Sequence, residues 1–147
     1  MNVEGCERTD ERDYGDSPKA HLRKDDILIY ATGAYVGRTN IWLESMKAMA
    51  SNHVTIVRPK KDCDPRYLAV YLNSPLGMLQ ADCWATGSAQ RELYPEVLSK
   101  FTVYLPTPSF QQKIADLVTA AYEARAKAKK LLEEAKRKVE DLIENPR

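Results

Sequence analysis

Residues 109–147, SFQQKIADLVTAAYEARAKAKKLLEEAKRKVEDLIENPR, hold no glycine, and no proline before Pro146, so nothing in them breaks a helix. Ser109 with Gln112 three residues later makes a capping-box pattern that starts it. From Phe110 to Glu144 such a helix runs roughly 50 Å at about 1.5 Å per residue. Its apolar stripe includes Val118, Leu132 and Val139, and Ile114, Ala121, Ala128, Ala135 and Leu142 fall seven apart on one line, a readable heptad. Lys127, Lys130, Glu134, Arg137 and Asp141 occupy the opposite, charged face. A small head cannot cover both ends of so long a rod, which is therefore expected to pair with another helix rather than fold back. The alanines narrow the middle of the seam and favour close, antiparallel approach. The expected pairing residues are Ile114, Leu117, Ala121, Ala124, Ala128, Leu131, Ala135 and Leu142.

The rest of the chain bounds the head. With 147 residues in all, there is room for one modest domain over 21–108 plus the helix over 109–147. Residues 1–20 are rich in Asp, Glu and Arg and nearly lack large apolar groups, which reads as a disordered or extended segment. Apolar content of 44% with 29% charge leaves no run of about 20 apolar residues for a membrane span. The opening residues lack the basic start and apolar stretch of a signal peptide, so the expected compartment is the cytoplasm.

Net charge is +1, unevenly spread: residues 1–26 carry five basic and eight acidic groups, 27–108 eight and six, 109–147 nine and seven. That is too weakly basic for an autonomous nucleic-acid clamp. It suits a protein that touches few phosphates or shares the task with a partner.

Within the head, DILIYA (residues 26–31) and HVTIVRP (53–59) read as strands, with a turn between Gly33 and Gly37. Asp64-Pro65 and Ser74-Pro75 each place a capping side chain before a proline at the first helical position, launching helices over 66–73 and 76–84. A polar glycine loop, TGSAQREL, leads to a short helix after Pro95, and FTVYLP (101–106) reads as a late strand. Strands and helices mix without regular alternation, so the fold class is α+β.

No catalytic motif is present: no phosphate-binding glycine loop with its lysine, no GxSxG, no HExxH, no nuclease-like carboxylate and lysine cluster. The Asn-Pro-Pro-aromatic or Asp-Pro-Pro-aromatic word of amino-methyltransferases is missing too. Cys6, Cys63 and Cys83 are odd in number and widely spaced, which reads as incidental reduced thiols rather than a metal or disulfide set. His21 and His53 are isolated, Asp82 and Glu92 have no evident reason to meet, and Trp42 and Trp84 read as core. The expectation is a protein with no catalytic residues, no metal and no cofactor of its own.

With these elements placed, the head resembles the target recognition domain of type I restriction-modification specificity subunits. KDDILIYATGAYVGRTNI is similar to that family's strand and Gly-x-x-Gly loop, with Asp25 where the family more often has glycine. AMASNHVTIVRPK resembles its Ala-x-x-Ser segment and the strand ending near Arg-Pro. DPRYLAVYLNSPLGMLQ resembles its helix, Leu-x-Ser turn and second helix. ATGSAQRELYPEVLSKFTVYLPTPSFQQKI resembles its Gly-Ser loop, the step into Leu-Pro and the Gln-x-Ile opening of the spacer helix. The likeness covers roughly residues 22–143.

What the resemblance implies is a DNA-binding specificity subunit, not a catalyst. Each recognition domain in that family reads one half of a split site on double-stranded DNA. The spacer helices act as ruler and as dock for a methyltransferase subunit, which holds S-adenosylmethionine, and a separate motor cleaves DNA. Such subunits usually carry two recognition domains and two spacer helices. One of each here implies either a half-subunit that forms a homodimer through its C-terminal helix or part of a longer protein. Base readout needs exposed side chains with paired donors and acceptors. Loop TGAYVGRTN offers Tyr35, Arg38, Thr39 and Asn40, and loop TGSAQRE offers Thr86, Ser88, Gln90 and Arg91; Lys47 and Ser51 suit phosphate contacts. Two rival readings stay open: a helical adaptor that binds protein rather than DNA, and a recognition module of a single-chain restriction-methyltransferase.

Overall fold

The computed structural model of the chain describes residues 6–88 and 90–145. At its centre lies strand β1 (Ile27–Tyr30), flanked on both sides by antiparallel partners β2 (Thr39–Ile41) and β3 (Val54–Val57). Ile27 faces Ile41 on one side and Val57 on the other. Ile27, Leu28 and Ile29 are all buried, which is why this strand reads as a continuous apolar run rather than an alternation. Strand β2 was hidden in the polar word RTN and in a strand of only three residues.

Two acidic residues set the entry into β1. Asp25 makes the turn with φ 70°, and its N–H donates to the Trp42 carbonyl at 2.7 Å. A short polar side chain tolerates this left-handed conformation, so the turn forms where the resemblance favours glycine. Asp26 is buried and takes a two-pronged bond from Arg58, Nε to Oδ1 at 2.8 Å and Nη2 to Oδ2 at 2.9 Å. The Arg23 N–H adds a third donor at 2.8 Å, and Arg58 Nη2 also reaches the His21 carbonyl at 2.8 Å. The pair thus ties the start of β1 to the end of β3.

Helices α2 (Pro65–Asn73) and α3 (Pro75–Trp84) start where their caps place them. The Asp64 carboxylate accepts from the Arg66 and Tyr67 N–H groups, and the Ser74 hydroxyl from Gly77. Leu68, Ala69 and Leu72 of α2 with Ala81 of α3 cover the sheet residues Ile27, Ile29 and Ile41, and Leu93 completes this core. A single turn, α4 (Pro95–Leu98), follows.

Four sequence expectations change. Residues 101–106 form no strand: Tyr67 Oη donates to the Tyr104 carbonyl at 2.5 Å and Tyr71 Oη to the Thr102 carbonyl at 3.2 Å. Gln80 takes both backbone groups of Thr102. Side chains of α2 and α3 therefore satisfy a backbone that a neighbouring strand would otherwise pair. Residues 11–20 are not extended, since α1 (Glu11–Asp16) is capped by Asp10 and a single 3₁₀ turn spans Pro18–Ala20. The Tyr14 ring stacks on His21 at 3.8 Å between centroids. Trp42 is core, but Trp84 is 38% exposed at the end of α3, with the Lys100 ammonium 4.5 Å from its ring centroid. The long helix α5 (Pro108–Glu144) begins after Thr107 with Pro108 in its first turn, and no side chain caps it, so the Ser109–Gln112 box does not form.

What holds α5 is Gln111, 4% exposed. Its Oε1 accepts from the Asp64 N–H at 2.7 Å, and its Nε2 donates to the carbonyls of Asp62 at 3.2 Å and Pro106 at 3.0 Å. Ala115 is the next buried residue and Tyr122 still packs on the core; every residue from Glu123 to Asn145 is exposed. The helix has 37 residues, about 55 Å at roughly 1.5 Å each, and the part from Glu123 onward, more than half of it, stands clear of the head. Replacing Gln111 by alanine removes the partner of a part-buried N–H and two carbonyls and should cost about 1–3 kcal/mol, read as a lower urea midpoint with unchanged slope.

Candidate nucleic-acid interface

The two loops singled out in the sequence meet. Residues 32–38 close on themselves through Tyr30 N–H to Arg38 carbonyl and Gly37 N–H to Tyr30 carbonyl, both 2.9 Å. Residues 86–92 close through a reciprocal pair between Thr86 and Glu92 at 2.9 and 2.8 Å. The loops then join each other: Gly33 N–H donates to the Arg91 carbonyl at 3.0 Å, Leu93 N–H to the Ala31 carbonyl at 2.8 Å, and Thr32 bridges Glu92. Sequence alone showed two separate polar loops, and the structure makes one hydrogen-bonded surface of them.

Glycine is required at two points on it. Gly37 has φ 83°, and a Cβ there would collide with the Ala81 methyl on α3; Gly87 has φ 98°, and a Cβ there would collide with the Gln90 carbonyl. The first loop is therefore pressed against α3, and the second against its own far side, at the residue that lacks a side chain.

Each candidate reader now has a place. Tyr35 is 59% exposed, with the Arg38 guanidinium 5.3 Å from its ring centroid and Tyr30 beside it at 6.3 Å. Arg38 is exposed and Asn40 half-buried on β2. Thr39 faces inward: it is 6% exposed and its hydroxyl donates to the Gly37 carbonyl at 3.1 Å, so it supports the loop. Ser88, Gln90 and Arg91 are exposed on the second loop. Lys47 lies elsewhere, against α1, with its ammonium 3.3 Å from both Glu11 carboxylate oxygens and 5.7 Å from the Tyr14 ring centroid.

Tyr30 and Asn73 were missed by sequence reading. They line one polar concavity with Tyr35, Arg38, Thr39 and Asn40. Asn73, the last residue of α2, takes both backbone groups of Thr39, Nδ2 to its carbonyl at 2.7 Å and Oδ1 from its N–H at 3.0 Å. The clue available beforehand was position: a short amide at a helix end satisfies a nearby backbone.

The electrostatics separate the cations. Arg91 is held by Asp82 at 2.8 Å and Lys47 by Glu11, whereas Arg38 has no carboxylate partner among the described residues. Glu92 takes the Tyr94 hydroxyl at 2.6 Å, a bond that pushes the phenol above its ordinary range. Asp82 and Glu92 thus have separate partners and form no carboxylate pair. Among the described residues no group of His, Cys, Asp or Glu is arranged to hold a metal ion.

A loop surface of guanidinium, amide and phenol groups offers the chemistry that reads base edges and phosphates. Residues 8–137 match the type I restriction modification DNA specificity domain. The chain belongs to that family. No curated protein gives a significant match. The specificity domain so matched takes in α1, the sheet, both loops and most of α5, and it gives the chain a role in DNA recognition within type I restriction-modification. No helix among the described residues is long and apolar enough to cross a membrane.

Gly37→Ala combines a strained φ with overpacking against Ala81 and should destabilise the domain by about 2–4 kcal/mol. Adding Ala81→Gly should return the steric part but not the backbone part, as measured by equilibrium unfolding of the single and double variants.

Proposed function

We propose that the chain is a non-catalytic, sequence-specific DNA-reading subunit or half-subunit of a type I restriction-modification system. It directs a partner adenine methyltransferase and a restriction motor, in the cytoplasm, to a split site. The joined loops are the reading face, with Arg38, Asn40, Gln90 and Arg91 toward double-stranded DNA. S-adenosylmethionine belongs to the methyltransferase, which docks along α5. The observation that carries this reading is the hydrogen-bonded union of residues 32–38 with 86–92, which adjoins exposed readers from two distant parts of the chain.

Fluorescence anisotropy on a mixed-sequence duplex tests it. Affinity should fall as salt rises, with a shallow slope because few phosphates are engaged. Arg38→Ala should weaken binding about five- to tenfold and lower the slope by about one. A protein-only adaptor would show no salt-dependent DNA affinity.

The exposed seam of α5 supports pairing with a second copy about a two-fold axis. In an antiparallel pair centred between Lys129 and Lys130, Leu117 falls opposite Leu142 of the second copy, Ala124 opposite Ala135, and Ala128 opposite Leu131. Lys138 falls opposite Ala121, whose small side chain leaves room for the lysine stem. Lys127 and Glu134, each one residue before a seam alanine (Ala128 and Ala135), flank the seam rather than lie opposite it, so Lys127 runs diagonally beside Glu134 of the second copy, twice per dimer. A shift of one heptad either way sets Lys127 against Lys127, or Glu134 against Glu134, across the axis. Two heads so placed would read an inverted repeat whose spacing the rods set.

Lys127→Glu and Glu134→Lys should each weaken self-association about tenfold. Mixing the two variants should restore a dimer, because every cross-chain pair is then opposite in charge. Sedimentation of each variant and of the mixture reads this directly.

A further inference from the structure

We propose that Arg91 reads a guanine in the major groove and that Asp82 is its positioning residue, an inference that rests on the DNA-reading function above. Three features single out Arg91. Its backbone is fixed from the other loop, because its carbonyl accepts the Gly33 N–H at 3.0 Å, and the adjoining Glu92 is locked to Thr86 by two hydrogen bonds. Its side chain is fixed from α3, where Nη1 donates to Asp82 Oδ1 at 2.8 Å and Nη2 to the Asp82 carbonyl at 3.1 Å. It nevertheless stays in solvent, with the two side chains 44% and 55% exposed.

Stability does not account for the pair. An ion pair this exposed adds little to folding, and the bond to a last-turn carbonyl of α3 is one that water would also supply. What two contacts on one residue do achieve is a fixed guanidinium plane. Reading guanine takes two parallel N–H donors aimed at O6 and N7, and a side chain with several free torsions must otherwise be ordered when DNA arrives. Arg91 spends only two of its N–H donors on Asp82, so a donor pair remains for the base. Glu92, the adjacent acid, is turned aside by Tyr94. Arg38, by contrast, is oriented among the described residues by the face of Tyr35 alone, an arrangement that suits a phosphate.

The test is selection from a randomised duplex library, followed by affinity measurements on the selected duplex and on one mixed-sequence duplex. The wild-type chain should select a site with a guanine that Arg91→Ala and Arg91→Lys no longer require, the lysine failing because it lacks the fork. Asp82→Ala should lower the preference for that guanine about tenfold while binding the mixed-sequence duplex more tightly, since a negative charge has left the DNA face. The double variant Asp82→Ala/Arg91→Ala should prefer that guanine no less than Arg91→Ala alone. Asp82→Asn, which keeps an acceptor for Nη1, should retain part of the preference. Loss of affinity for both duplexes together, in step with a lowered melting temperature, would mean that Asp82 is merely structural and would overturn the positioning role. An unchanged site for Arg91→Ala would overturn the assignment of Arg91. A wild-type chain that selects no site at all would instead remove the DNA-reading function on which both rest.

Discussion

One buried amide decides how the molecule is put together. Gln111 joins the loop before α2 to the segment that enters α5, by accepting one backbone hydrogen bond and donating two. Because all three partners are main-chain groups, the joint depends on the course of the chain rather than on neighbouring side chains. Tyr67, Tyr71 and Gln80 extend the same device along residues 102–104. The head and the first turns of the rod are therefore one body, and the direction of the helix is set before its exposed part begins.

Much of this was legible in the sequence, and the parts that were not share a cause. The helices after Asp64 and Ser74 could be placed because a capping side chain followed by proline acts within a few residues. The central strand could be placed because complete burial demands an unbroken apolar run. The exposed rod followed from length alone. Strand β2 and residues 101–106 were misread because their states depend on distant partners: Asn73 for Thr39, and two tyrosines with a glutamine for the stretch before α5. Local pattern carries no record of such partners. The capping box at Ser109 failed for a nearer reason, since Pro108 already occupies the first turn and begins the helix earlier.

The candidate site was legible to a similar depth. Glycines with polar residues between them marked both loops, but only the folded chain shows that Gly33 bonds the carbonyl of Arg91. Thr39 was assigned outward when the pleat turns it inward, a one-residue ambiguity that a three-residue strand cannot resolve by alternation. Tyr30 and Asn73 stayed invisible because each lies in a word that reads as plain strand or plain helix.

Asn73 carries a consequence of its own. An edge strand offers unpaired amides to any passing chain, and here a side chain occupies the edge at Thr39. The main chain beneath Arg38 and Asn40 is thereby pinned without help from either residue. Outward side chains on such a strand can be exchanged over evolutionary time while their platform stays put, so the protein can acquire a new vocabulary and keep the same grammar.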